Sequence, residues 1–165
     1  MGRLLQHQVT ENLMLKMVDA HPMDAMYLAP KLRAIDNLEV RATGRTPYEA
    51  LKAGFDLPNS KVMSGLNTDE QVVFMCGSVQ CPNNTEAGIV WMLASDELED
   101  TKKDFLKLCE PTIKSLCEGY KYVYNFVHVT NEKSIRWLKW NGFTVDTENT
   151  YEQGGEDFYL LSKET

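Results

Sequence analysis

Apolar positions recur along this chain with two periods, and the later half shows both clearly. Between Asp100 and Tyr120 the residues Phe105, Leu108, Cys109, Ile113, Leu116 and Cys117 fall on one helical face, and Gly119 supplies a stop. Pro111 is expected to kink or divide that helix, because it lacks an N–H. The run from Tyr122 to Val129 is β-branched and aromatic on both faces, as a strand buried on both sides of a sheet requires. Asn131 then opens a helix that Gly142 ends. Phe143 to Val145 and Asp157 to Leu161 read as two closing strands joined by a loop containing Gly154 and Gly155. In the earlier half, Leu13 to Val18 reads as a strand, followed from Asp19 to Pro22 by helix-start chemistry for a segment reaching about Leu38. The stretch Arg41 to Thr46 contains Gly44. Thr46 is the expected cap of a short helix that starts on Pro47 and runs through Ala53, before Gly54 and Pro58. Lys61 to Gly65, Val72 to Gln80 and Gly88 to Ala94 read as a meander of β segments, with turns at Asn67-Thr68-Asp69 and Pro82-Asn83-Asn84. The first twelve residues are polar and weakly periodic, so residues 1–12 are expected to form a loose arm and 13–165 a single domain.

Composition narrows the function classes. The 165 residues are 43% hydrophobic and 25% charged, which is ordinary for one globular domain. No apolar run approaches the roughly 18 to 20 residues of a membrane span, and the N-terminus lacks a basic segment followed by an apolar one. A cytoplasmic protein with no membrane partner is therefore expected. Gln6 stands where an N-myristoylation signal needs Ser or Thr. The net charge of −7 disfavours nucleic acid, whose binding depends on clustered Lys and Arg, and fits a basic partner or plain solubility. Cys76, Cys81, Cys109 and Cys117 make no C-x-x-C pair, and His7, His21 and His128 are far apart, so reduced thiols and no metal are expected.

One unit carries more specific information. In V-x-x-x-N-x-x-S-I-x-W-L-x-x-x-G-F, Val127 closes a strand, Asn131 and Ser134 open a helix, and Gly142-Phe143 leaves it. That unit, together with the order strand, two helices, three-strand meander, helix, strand, helix, two strands, resembles the GCN5-related N-acetyltransferase (GNAT) superfamily. Arg33, Asp36 and Glu39, at three-residue spacing within the stretch from Asp19 to Gly44, resemble the acetyltransferase-like and internal virion protein A proteins of short-tailed phages. The resemblance implies an α/β (α+β) single domain. It would hold a mixed, twisted sheet of about seven strands, the fourth and fifth parallel and splayed, flanked by about four helices. It also implies acetyl-CoA as cofactor, with Met92, Leu93 and Ala94 on one splayed strand and Asn131 and Ser134 at the following helix N-terminus as cofactor-binding residues. At the helix N-terminus that follows Ala94, unpaired amides and the helix dipole would favour the pyrophosphate. Its partner would be an amine-bearing protein or small-molecule acceptor.

Two positions depart from the superfamily's pattern. After Ala94, where that pattern has Arg or Gln and spaced glycines, the chain reads Ser95-Asp96-Glu97-Leu98-Glu99-Asp100, whose carboxylates repel a pyrophosphate unless they point away. Leu138 stands where a tyrosine often serves as acid for the leaving thiolate. No catalytic residue is therefore assigned. Tyr124, Tyr151 and Tyr159 are substitutes to test, His128 is a candidate base, and each is also explained by packing. Lys133, Arg136 and Lys139 make a basic stripe that fits either a phosphate or solvent, and of Trp137 and Trp140 at least one belongs in the core. Three functions follow: an acetyl-CoA-dependent N-acetyltransferase, a non-catalytic protein of this fold bound to a virion or host partner, and, on charge alone, an acidic mimic of nucleic acid.

Overall fold

A computed structural model describes residues 13–165, so the expected arm at residues 1–12 lies outside the described residues. The first strand, β1 (Lys16–Asp19), leads into α1 (Pro22–Leu28), whose N-terminus is closed by a reciprocal cap between His21 and Asp24. The single helix expected to reach Leu38 is in fact two. Pro30 sits in a 3-10 turn, Ala29–Lys31, and cannot donate a helical hydrogen bond; Leu32 is then extended and bridges to Ser95. Helix α2 (Ala34–Ala42) follows, so part of the Arg41 to Thr46 stretch is helical and Gly44 turns the chain at φ +85°. Helix α3 (Pro47–Asp56) starts as expected: Thr46 Oγ1 accepts from Glu49 N–H while the Glu49 carboxylate accepts from Thr46 N–H.

The meander is β2 (Lys61–Leu66), β3 (Val72–Cys81) and β4 (Asn84–Ala94), all antiparallel neighbours. A 3-10 turn, Asp96–Thr101, leads to α4 (Lys102–Cys117). Of the kink or division expected at Pro111, division does not occur, because the buried face of Phe105, Leu108, Cys109, Thr112 and Leu116 holds both halves of α4 on the sheet. Then come β5 (Tyr122–His128), α5 (Glu132–Trp140), β6 (Thr144–Gln153) and β7 (Glu156–Glu164). The last two strands are longer than the apolar pattern suggested, since their outer halves are polar and meet in a hairpin over Gly154 and Gly155, both at positive φ. Among the described residues the sheet order is β1-β2-β3-β4-β5-β7-β6 in seven strands, and β4-β5 is the parallel pair. Five α-helices among the described residues flank it, one more than expected, because the first helical segment is split.

Two apolar layers form on the two faces. One packs α1 to α3 against β1 to β4 through Val18, Leu28, Leu51, Met75 and Leu93. The other packs α4 and α5 against the opposite face through Phe74, Cys76, Leu108, Leu116, Val123, Val127, Leu138 and Leu161.

Candidate functional site

The parallel strands β4 and β5 pair only at Ala87, Gly88 and Ile89 against Tyr122, Val123 and Tyr124. Beyond Ile89 they diverge, opening a fork in the middle of the sheet. A cleft of about 550 Å³ runs through it, lined on one side by Trp91, Phe126 and Val40 and on the other by Met92, Leu108, Trp137 and Leu138. Backbone groups facing such an opening lose their sheet partners and must find others.

They find them in side chains of this chain. Ser95 N–H donates to Val73 carbonyl at 2.9 Å, which fixes the register with β3 so that Val90, Met92 and Ala94 turn their backbone toward the opening. Val90 carbonyl accepts from Asn125 Nδ2 at 2.6 Å, and Asn125 Oδ1 accepts from Phe126 N–H at 2.7 Å, so one amide side chain ties both arms near the apex. Ala94 N–H donates to Asp36 Oδ2 at 2.9 Å and Ala94 carbonyl accepts from Arg33 N–H at 2.8 Å. On the other arm, His128 N–H donates to Glu39 Oε2 at 2.8 Å. Asp36 and Glu39 lie one turn apart on α2, so that helix bridges the tips of the fork with one carboxylate on each arm. Met92, between the capped positions, faces the opening with no capping side chain among the described residues.

Both carboxylates are costly to place there. Burial pushes the Asp36 carboxyl above its usual range, against the Arg33 guanidinium, whose Nε and Nη2 lie 2.9 and 3.0 Å from its oxygens. Burial likewise raises Glu39, opposed by the His128 amide and by Asn131 Nδ2 at 3.2 Å.

Met92, Leu93, Asn131 and Ser134 line the cleft, whereas Ala94 is fully buried at its edge with both backbone groups spent. Asn131 both caps α5, accepting from Ser134 N–H at 3.3 Å, and reaches Glu39. Leu138 lies in the cleft wall and is buried. Tyr124, Tyr151 and Tyr159 are not among the lining residues. Hydrogen bonding to Cys81 pushes the Tyr124 phenol up to about 12, and Tyr151 packs on Phe126 at 5.4 Å. His128 also lies off the cleft: its Nδ1 accepts from Thr130 N–H at 3.1 Å, which leaves Nε2 to donate to Glu156 Oε1 at 2.6 Å. With both nitrogens engaged, the ring holds structure together.

The segment after Ala94 is a closed turn. Ser95 Oγ accepts from Glu97 N–H, Ser95 carbonyl accepts from Leu98 N–H, and Asp96, Glu99 and Asp100 are exposed around it. Lys133 of the basic stripe reaches Glu99 at 3.6 Å. Trp137 is the core tryptophan, stacked on Phe105 and donating to Cys109 Sγ at 3.2 Å, while Trp140 is exposed. Among the described residues no group of three or more His, Cys, Asp or Glu could hold a metal ion, and no helix is long and apolar enough to cross a membrane.

A seven-stranded mixed sheet forked between its parallel fourth and fifth strands is the GNAT fold, and solved structures agree. A GCN5-related N-acetyltransferase from Kribbella flavida superposes with a TM-score of 0.65 at 16% identity, over 92% of this chain and 98% of that one. The ribosomal-protein-S5-alanine acetyltransferase from Vibrio fischeri gives 0.62 at 16%, over 93% and 94%. A chimera of the spermidine N-acetyltransferase from Vibrio cholerae gives 0.65 at 12%, over 92% and 95%. At such identities the likeness is one of fold. The sequence itself matches the family model described as "Bacteriophage T7, probable scaffold protein Gp13" over residues 66–150, more than half of the chain, and the protein belongs to that family. No curated protein matches it.

Proposed function

We propose that this chain is a phage assembly or virion-associated protein that uses the GNAT fold to hold a protein partner and does not consume acetyl-CoA. The observation that carries the reading is the self-capped fork. In an acetyltransferase the splayed strands offer backbone groups to the pantetheine arm; here Asn125, Asp36 and Glu39 engage the Val90 carbonyl and the Phe126, Ala94 and His128 amides. The position of the pyrophosphate is a glycine-free turn carrying Asp96, Glu97, Glu99 and Asp100, which opposes an anion by charge. Leu138 offers no proton to a leaving thiolate. The family's description as a scaffold accords with a role in assembly, in the host cytoplasm or in the virion.

A second reading rests on the cleft itself. Its volume of about 550 Å³, with Met92, Leu93, Asn131 and Ser134 in the wall, supports an acetyl-CoA-dependent transfer to an amine of a protein or small molecule. Calorimetric titration with acetyl-CoA and desulfo-CoA separates the two. The assembly reading expects no binding heat at millimolar cofactor, and micromolar binding with acetyl consumption on an amine acceptor would overturn it.

A further inference from the structure

The cleft takes Phe126 and Phe158 on the α2 side of β5 and β7. The rest of that face, across β5, β7 and β6, carries a different feature. Cross-strand partners share a face of a sheet, and the registers pair Tyr122 with Glu164, Tyr124 with Ser162, Phe126 with Leu160 and His128 with Phe158. On the next strand Thr144 lies beside Ser162, Asp146 beside Leu160 and Tyr151 beside Phe158. The opposite face of this half-sheet is covered, since Val123, Val127, Val145 and Leu161 pack with Cys117, Leu138 and Phe143. Helices α1 to α3 pack over the other half of the sheet, through Leu51, Val72 and Met75. The end of α2 reaches this half-sheet only at its hairpin end, where Gly154 meets Ala42 and Phe158 is buried, and among the described residues Tyr122, Phe126 and Tyr151 stay exposed beyond it.

On it runs a ladder of rings. Tyr122 to Tyr124 and Tyr124 to Phe126 are each 6.5 Å between centroids, and Phe126 to Tyr151 is 5.4 Å. Tyr122, Phe126 and Tyr151 remain 37%, 42% and 44% exposed, a contiguous aromatic strip of a kind that ordinary surfaces rarely leave uncovered. The rings are held in place before any partner arrives: Asn84 Nδ2 donates to Tyr122 Oη at 2.9 Å, and Tyr124 Oη lies 3.2 Å from Cys81 Sγ. Pre-ordered rings lose little entropy on binding.

Charge selects the occupant. The acids on this face are Asp146, Glu156 and Glu164, and none of the register positions named above is Lys or Arg. Asn149 and the Glu148 amide hold Asp146 ionised by hydrogen bonding. Glu156 is engaged by His128, which leaves Glu164 beside Tyr122 at one end of the strip and Asp146 in the rung of Phe126. Rings with carboxylates beside them suit guanidinium groups, which stack on an aromatic face and pair with an acid through the same planar head. A second copy of the chain, at net charge −7, is disfavoured by repulsion.

We propose that the exposed aromatic strip on this face of β5, β7 and β6 docks an extended, arginine-bearing segment of another protein, its guanidinium groups lying on Tyr122, Phe126 and Tyr151 and pairing with Asp146 and Glu164. The inference holds whether or not the fork takes acetyl-CoA; Phe126 also lines the cleft, so the variant at Asp146 and Glu164, which lie outside it, is the arm that keeps this experiment independent of the cofactor titration. The probe is a short synthetic peptide of alternating arginine and threonine, titrated into the full chain by calorimetry beside the same peptide with citrulline, which keeps the shape and removes the charge. The arginine peptide should bind roughly tenfold more tightly than the citrulline one, a difference of about 1.4 kcal/mol. Phe126→Ser with Tyr151→Ser, and separately Asp146→Asn with Glu164→Gln, should each weaken it by a similar factor without lowering the thermal midpoint. Equal binding of the two peptides would overturn the proposal, as would undiminished binding to either folded double variant. Concentration-dependent dimers in sedimentation, abolished by the aromatic double variant, would assign the face to a second copy instead.

Discussion

Asp36 shows how one residue settles a local structure. It is 1% exposed and serves Arg33 and the Ala94 amide at once. Asp36→Ala would leave a guanidinium only 17% exposed, and a buried amide, without their acceptor. It should lower the unfolding free energy by roughly 3 kcal/mol in urea denaturation. Glu39 makes a pH statement. Burial holds its proton to higher pH in the folded chain than in the unfolded one, where the ordinary value is 4.5. The folded state therefore binds more protons in the window just above that value, and stability falls as pH rises through it. Glu39→Gln cannot titrate, so urea midpoints across the acid range should shift in the variant's favour as pH rises through that window, then level off. A difference independent of pH would show that Glu39 is ionised alike in both states. The cysteines differ in the same physical terms. Burial pushes Cys76 up to about 12 and Cys109 up to about 11 and also raises Cys117, whereas hydrogen bonding from Tyr124 lowers Cys81. Brief alkylation of the native protein should label Cys81 alone, as peptide mapping would show.

At the scale of elements, close approaches matter as much as capping. Gly77 on β3 sits where a Cβ would come within 2.5 Å of the Lys61 carbonyl and 2.7 Å of the Trp91 ring. A backbone atom cannot swing aside, so Gly77→Ala should separate β2 from β3 and cost about 2 kcal/mol, read from the thermal midpoint. Thr46→Ala removes one half of a reciprocal cap and should cost about 1 kcal/mol by the same measurement. Most elements were legible in the chain because their causes are local: Thr46 before Pro47, Asn131 before α5, and Gly142 at φ +86° after it. The split of the first helical segment was less so. Its apolar spacing continues across Pro30, and the break is stabilised by a bridge from Leu32 to Ser95, far along the chain. Of the two outcomes expected at Pro111, division does not occur, since packing against Phe74 and its neighbours holds α4 in one piece.

For the molecule as a whole, the pairing of β4 with β5 decides what the fold can do. A sheet that stays paired has no site, and one that forks must satisfy the groups it exposes. Here α2, carrying Asp36 and Glu39, and Asn125 at the apex perform that task. The chain's periodicity determined the order of the elements and its residues the glycine-free acidic turn after Ala94, because each follows from residues close in sequence, whereas the parallel pair was expected from the resemblance. Only the tertiary structure decided that Asp36 meets Ala94 and Glu39 meets His128, contacts spanning 58 and 89 residues. It alone also decided that the aromatic residues of β5 and Tyr151 of β6 share one face of the sheet. Hydrogen bonds and ring contacts depend on which strands become neighbours, and strand neighbours are fixed by burial of the whole sheet rather than by any segment of it.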